Sequence, residues 1–169
     1  MIRYVGGALI LGCGLWLGNS RAKVLERRVE TLEDLMAALS LLGRELALHA
    51  TPLPELFARL SQVAKGAACR LFAHCARELK GPVEEGFSTV WKGGVGEIPN
   101  LQPEERRLLA ALGPVLGRFP AGEQQKAVEG VCALLREAAK TAGEDCRRMG
   151  RVYRTLGAAF GGFLLILLL

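Results

Sequence analysis

The feature that most constrains this chain is Tyr153–Leu169, YRTLGAAFGGFLLILLL, which carries no charge after Arg154. Phe163–Leu169 is apolar on every side, whereas a helix on a protein surface keeps one polar face. The run is seventeen residues long, at the short edge of what crosses a bilayer as a helix. Arg147, Arg148, Arg151 and Arg154 lie just before or at its start, a basic cluster that the positive-inside rule holds in the cytoplasm. The expectation is a tail anchor over 153–169. The alternative is a buried hairpin helix of a soluble protein.

Met1–Gly18 is a second apolar run, broken only by Arg3. As a cleaved signal peptide it lacks a small-x-small site, since Gly18–Asn19–Ser20 is followed by Arg21. As a lipoprotein signal, Ile10–Leu11–Gly12–Cys13 is a weak match, and the run continues past Cys13 through Leu17. An uncleaved membrane helix over 1–20 accounts for it best. Arg21, Lys23, Arg27 and Arg28 follow and again favour a cytoplasmic middle, 21–152. Gly14 and Gly18 in the first run, and Gly157-x-x-x-Gly161 in the last, are small residues of the kind that let membrane helices pack closely.

The middle reads as all-α. It is poor in β-branched residues and rich in Leu, Ala, Glu and Arg. Leu25, Val29, Leu32, Met36, Leu39, Leu42 and Leu46 recur at steps of three and four, one stripe of a helix. Glu26, Glu30, Glu33, Arg44 and Glu45 take the other side. Thr51–Pro52 offers an N-cap and a first-turn proline, with Pro54 and Glu55 still in that turn. A helix from Leu53 to about Ala64 would bury Leu56, Phe57, Leu60 and Val63, and one from about Ala67 would bury Leu71, Phe72 and Cys75. Gly81–Pro82 opens a short helix with Val83, Phe87 and Trp91 on its apolar side, and Gly93–Gly94 closes it. Pro103–Glu104–Glu105 starts the next, which Pro114 should kink or end. The last helix begins near Glu123 and shows Val128, Val131, Leu135, Ala138, Ala142, Cys146 and Met149 on one side. The expected architecture is a cytoplasmic helical bundle of about six helices, the first and last continuing into membrane spans.

The chemistry-bearing residues are few. The formal charge is only +5 and aromatics are 6% of the chain, so nothing suggests a stacking platform for nucleic acid. Five cysteines, Cys13, Cys69, Cys75, Cys132 and Cys146, are odd in number and form no disulfide framework. Cys69 and Cys75 fall about 240° apart on a helix, so with His74 they do not converge on a metal. His49 is the other imidazole. No phosphate loop, nucleophile elbow or dinucleotide fingerprint occurs. The reading is no enzyme, no cofactor, no metal and no small-molecule substrate. Glu104–Glu105 reads as the acidic first turn of a helix. Trp91 has a core reading and a docking-anchor reading. Candidate partner-binding residues are Glu30, Glu33, Thr51, Pro52, Pro54, Glu55 and Trp91. The basic residues at the two ends read as topology signals that also attract anionic lipid.

Arg28–Leu46, RVETLEDLMAALSLLGREL, followed by Thr51–Pro52–Leu53–Pro54–Glu55, resembles the stage III sporulation protein AB family. The ending Tyr153–Arg154–Thr155–Leu156–Gly157, Trp91, and Leu108 to Gly117 are similar to that family's ending and middle. Phe119–Glu123 departs from its more polar turn before a glutamine, here Gln124 or Gln125. The resemblance implies a scaffold subunit of a channel or secretion-like complex between mother cell and forespore, in the mother-cell-side membrane. It implies docking to a cytoplasmic ATPase, to other membrane subunits and to the bilayer. The soluble domain is similar to type II secretion inner-membrane platform proteins, and a general secretion or pilus platform subunit is the alternative.

Overall fold

The computed structural model describes residues 2–48, 51–81 and 86–168, with side chains over 23–48, 51–81 and 86–149. The described elements are six α-helices: α1 Ile2–Leu48, α2 Leu53–Val63, α3 Gly66–Glu78, α4 Phe87–Gly96, α5 Pro103–Ala110 and α6 Ala121–Leu168. The chain divides into two compact units, Met1–Arg27 with Thr141–Leu169, and Arg28–Lys140.

The expectation of membrane-spanning helices is corrected. Among the described residues no helix is long and apolar enough to cross a membrane. A span needs about 20 predominantly apolar residues, whereas the described faces of α1 and α6 carry a charge every few positions, from Lys23 to Arg44 and from Glu123 to Arg148. The membrane location and the membrane-scaffold role that rested on such spans have no support among the described residues. The two segments named for the spans, 1–20 and 153–169, lie outside the residues with described side chains. So do Gly14, Gly18, Arg21, Arg151, Arg154, Gly157 and Gly161.

In the larger unit the apolar stripe of α1 is the spine of the core. Leu32, Leu35, Leu39 and Leu42 are at most 1% exposed, because a period of three to four puts them on one side of the helix. The stripe of α6 meets it in antiparallel sense. Val128 lies against Gly43, and the Cys132 thiol faces the Met36 carbonyl at 4.0 Å. Leu135 and Ala142 are buried as expected, but Met149 is 46% exposed.

The short helices close the rest of the core. α2 buries Leu56, Phe57 and Leu60 but not Val63, which as the last helical residue is 65% exposed. α3 contributes Leu71, Phe72 and Cys75. α4 does not stop at Gly93–Gly94 but continues to Gly96. A side chain at Gly94 would come within 2.8 Å of Leu71 Cδ1 and 3.0 Å of His74 Cδ2. That glycine therefore serves close packing of α4 on α3 rather than termination. The carbonyls of Gly96, the last residue of α4, and of Ile98 just beyond it accept bonds from Arg106 at 2.5 and 2.8 Å, as a cation at a helix C-terminus should provide.

α5 ends at Ala110, four residues before Pro114. Proline has no amide proton to return to the Ala110 carbonyl, and that carbonyl accepts from Gly113 instead, at 3.1 Å. The chain then proceeds through short turns to Gly117, whose φ of +79° places it in the left-handed region. A side chain there would also meet Leu53 Cδ1 at 2.7 Å. Gln124, 8% exposed, holds this turn: its Oε1 accepts from the Gly117 amide at 3.1 Å and its Nε2 donates to the Phe119 carbonyl at 2.6 Å. Gln124→Ala is expected to destabilise the chain by about 1–2 kcal/mol in urea unfolding, since it leaves two backbone groups without their partner.

Candidate docking surface

The Thr51–Glu55 turn is stiff for a local reason. Pro52 is the N-cap of α2, and Pro54 occupies its first turn. Both have φ locked by the ring, and neither adds an amide needing a partner. The expected Thr51 side-chain cap is absent, with the cap position one residue later. The Leu53 side chain reaches Gly117, so this turn and the 117–120 turn lie at one end of the larger unit. That end exposes apolar surface: Leu48 is 75% and Phe119 48% exposed, and Pro52 and Pro120 are exposed. Glu55 stands beside them in solvent, while Thr51 and Pro54 are half-buried. Arg59 pairs with Glu45 nearby, an exposed pair worth little to stability.

Glu30 and Glu33 sit elsewhere, on the outward face of α1 with Ala37, Ser40 and Arg44. Neither glutamate makes an ion pair among the described residues. Trp91 belongs to neither surface. It is 0% exposed, with its ring tilted against those of Phe57 and Phe87 at 6.0 Å from each, and its Nε1 donates to the Leu109 carbonyl at 2.7 Å. The core reading of Trp91 stands, and a residue so enclosed presents nothing to a partner.

Arg28, read as a topology signal, is a structural residue instead. Its Nη2 and Nε donate to Glu105 Oε1 at 2.6 and 3.1 Å. The Glu105 Oε2 accepts from the Gln102 amide at 2.7 Å, closing the N-terminus of α5. The Glu105 side chain is only 3% exposed. Sequence reasoning saw the acidic first turn but not its partner, 77 residues away. Lys23, Arg27, Arg147 and Arg148 are exposed. An open groove of about 440 Å³ in the smaller unit is lined by Leu25, Asp145, Arg148 and Met149, with no convergent set of polar atoms to orient a ligand.

The thiols and imidazole form no reactive set. Burial pushes the Cys75 thiol up to about 12 and raises Cys132 as well, so both stay protonated and poorly nucleophilic. Cys69 Sγ donates to the Ser61 carbonyl at 3.2 Å. His74 lies over Gly94, and its Nδ1 is buried with no hydrogen-bond partner. Among the described residues no three His, Cys, Asp or Glu side chains could hold a metal ion. His49 and Val83 lie outside the described residues.

A family model described as stage III sporulation protein AB matches residues 3–169. Stage III sporulation protein AB of Bacillus subtilis (strain 168) is 25% identical, with 100% of this chain and 99% of that protein covered. No solved structure matches.

Proposed function

We propose a docking role, from the premise that the chain belongs to the stage III sporulation protein AB family, which is non-enzymatic. In this reading the chain is a helical adaptor of stage III sporulation, and the partner it holds is the ATPase of the same apparatus. The observation that carries it is the exposed apolar end of the larger unit. Leu48 at the end of α1, together with Pro52, Phe119 and Pro120, is left in solvent there, the last three on turns stiffened by Pro54 and by the Gln124 bonds. Rigid exposed apolar residues cost little ordering on association, which is what makes a small patch an effective anchor. The family match favours sporulation over a general secretion or pilus platform.

The test uses the full chain in its own sporulating host. Deletion of the gene should stop spore formation. Leu48→Asp with Phe119→Asp should reduce recovery of the ATPase about tenfold or more. Both positions are exposed, so helix content and melting temperature should hardly change. Normal spores after deletion would remove the sporulation role. Undiminished ATPase recovery by the variant would remove this surface.

A further inference from the structure

We propose that the outward face of α1 is a contact between two copies of this chain, with the helices antiparallel and the two-fold axis at Ala37. The face is distinct from the apolar end above, and the proposal stands whether or not the ATPase docks there.

Between Glu30 and Arg44 the exposed residues of α1 are Glu30, Glu33, Ala37, Ser40 and Arg44. Steps of three, four, three and four form a straight seam along a helix, the spacing through which paired helices meet. The seam has a small centre, Ala37 and Ser40, flanked by opposite charges. Small side chains let two helix axes come to the near end of the usual 8–10 Å separation.

The charges select both the occupant and its direction. In a two-fold contact the same patch is used twice, so it must be its own complement. With the axis at Ala37, Glu30 and Arg44 each lie seven residues away on opposite sides. Glu30 therefore meets the partner's Arg44, and Arg44 meets the partner's Glu30. Glu33 adds negative charge at the same end. A parallel arrangement would set Glu30 against Glu30 and Arg44 against Arg44, which repel. These charges are also uncommitted within the chain. Glu30 and Glu33 make no ion pair among the described residues, and Arg44 makes only a 3.4 Å bond from Nε to the Ser40 carbonyl of its own helix.

The experiment places Ala37→Cys in the full chain, expressed in cells and oxidised before separation without reductant. At the axis the two introduced thiols come within disulfide reach. A covalent dimer should form well above the background of the native cysteines and above Leu134→Cys, an exposed position on α6. Adding Glu30→Arg or Arg44→Glu alone should lower that yield roughly fivefold, the scale set by losing two exposed ion pairs. Adding both together should restore it, because the pair is rebuilt with its signs exchanged. Dimer no greater than in Leu134→Cys would overturn the contact. So would cross-linking of position 37 to a different protein, or failure of the double reversal to recover the yield while helix content is unchanged.

Discussion

Arg28→Ala is expected to destabilise the full chain by about 3 kcal/mol, read as a lower urea midpoint with unchanged slope. The expectation comes from what the substitution leaves behind. Glu105 is buried, and its Oε1 depends on Arg28 for both of its side-chain bonds. Without the guanidinium that oxygen is left without a donor in a site with little water. Its Oε2 keeps only the Gln102 amide. An uncompensated buried charge is far costlier than the net worth of the pair that contained it. A cycle separates the two quantities. Glu105→Gln should cost less than Arg28→Ala, because the amide oxygen can still accept while the charge is gone. Combining it with Arg28→Ala should cost less than the sum of the single changes. A loss within about 0.5 kcal/mol for Arg28→Ala would show that the carboxylate is hydrated in solution.

The pair also shows where sequence reading stops. Glu105 was legible as the third residue of an acidic first turn, because helix capping is local and leaves its signature within four residues. Arg28 was legible only as one of a basic run, since no local rule connects positions so far apart in the chain. The α1 stripe was readable at Leu32, Leu39, Leu42 and Leu46 because burial on one side imposes a period, but Leu35 and Ala38, buried beside them, were not named, and Leu25, Val29 and Met36 are only half-buried. Gly94 was misread as a stop because a glycine placed for close packing on Leu71 looks, in sequence, like a glycine placed for a turn. Val63 kept the period of α2 yet is exposed, since periodicity does not say where the neighbouring elements end. Phe119 drew attention only as part of a departure from the family's pattern. Its exposure, and its placement near the Thr51–Glu55 turn, depend on the Gly117–Leu53 approach, which no spacing encodes.

Trp91→Ala should be the most damaging single change, lowering stability by about 3–5 kcal/mol in urea unfolding followed by helix content. Trp91 is enclosed by residues from three helices. Phe57 comes from α2 and Phe87 from α4 itself, both with ring centres at 6.0 Å, and Leu109 of α5 accepts its Nε1 hydrogen bond at 2.7 Å. Phe72 of α3 extends the cluster through Phe57 at 5.5 Å. Gly113 also lies against the indole, at a distance where a side chain would meet Cδ1 at 3.2 Å. Truncation therefore removes the largest fully buried side chain among the described residues and opens a cavity whose walls belong to separate short helices. None of these helices is long enough to hold itself together alone, so the loss should spread through α2 to α5. Trp91→Phe divides the effect. It keeps most of the aromatic contact and removes the donor, and the Leu109 carbonyl retains the Leu112 amide at 3.1 Å. Its cost should stay near 1 kcal/mol from the hydrogen bond, plus a smaller packing loss. If Trp91→Ala left stability unchanged but abolished partner recovery, the indole would be a docking anchor and its enclosed position would not describe the protein in solution.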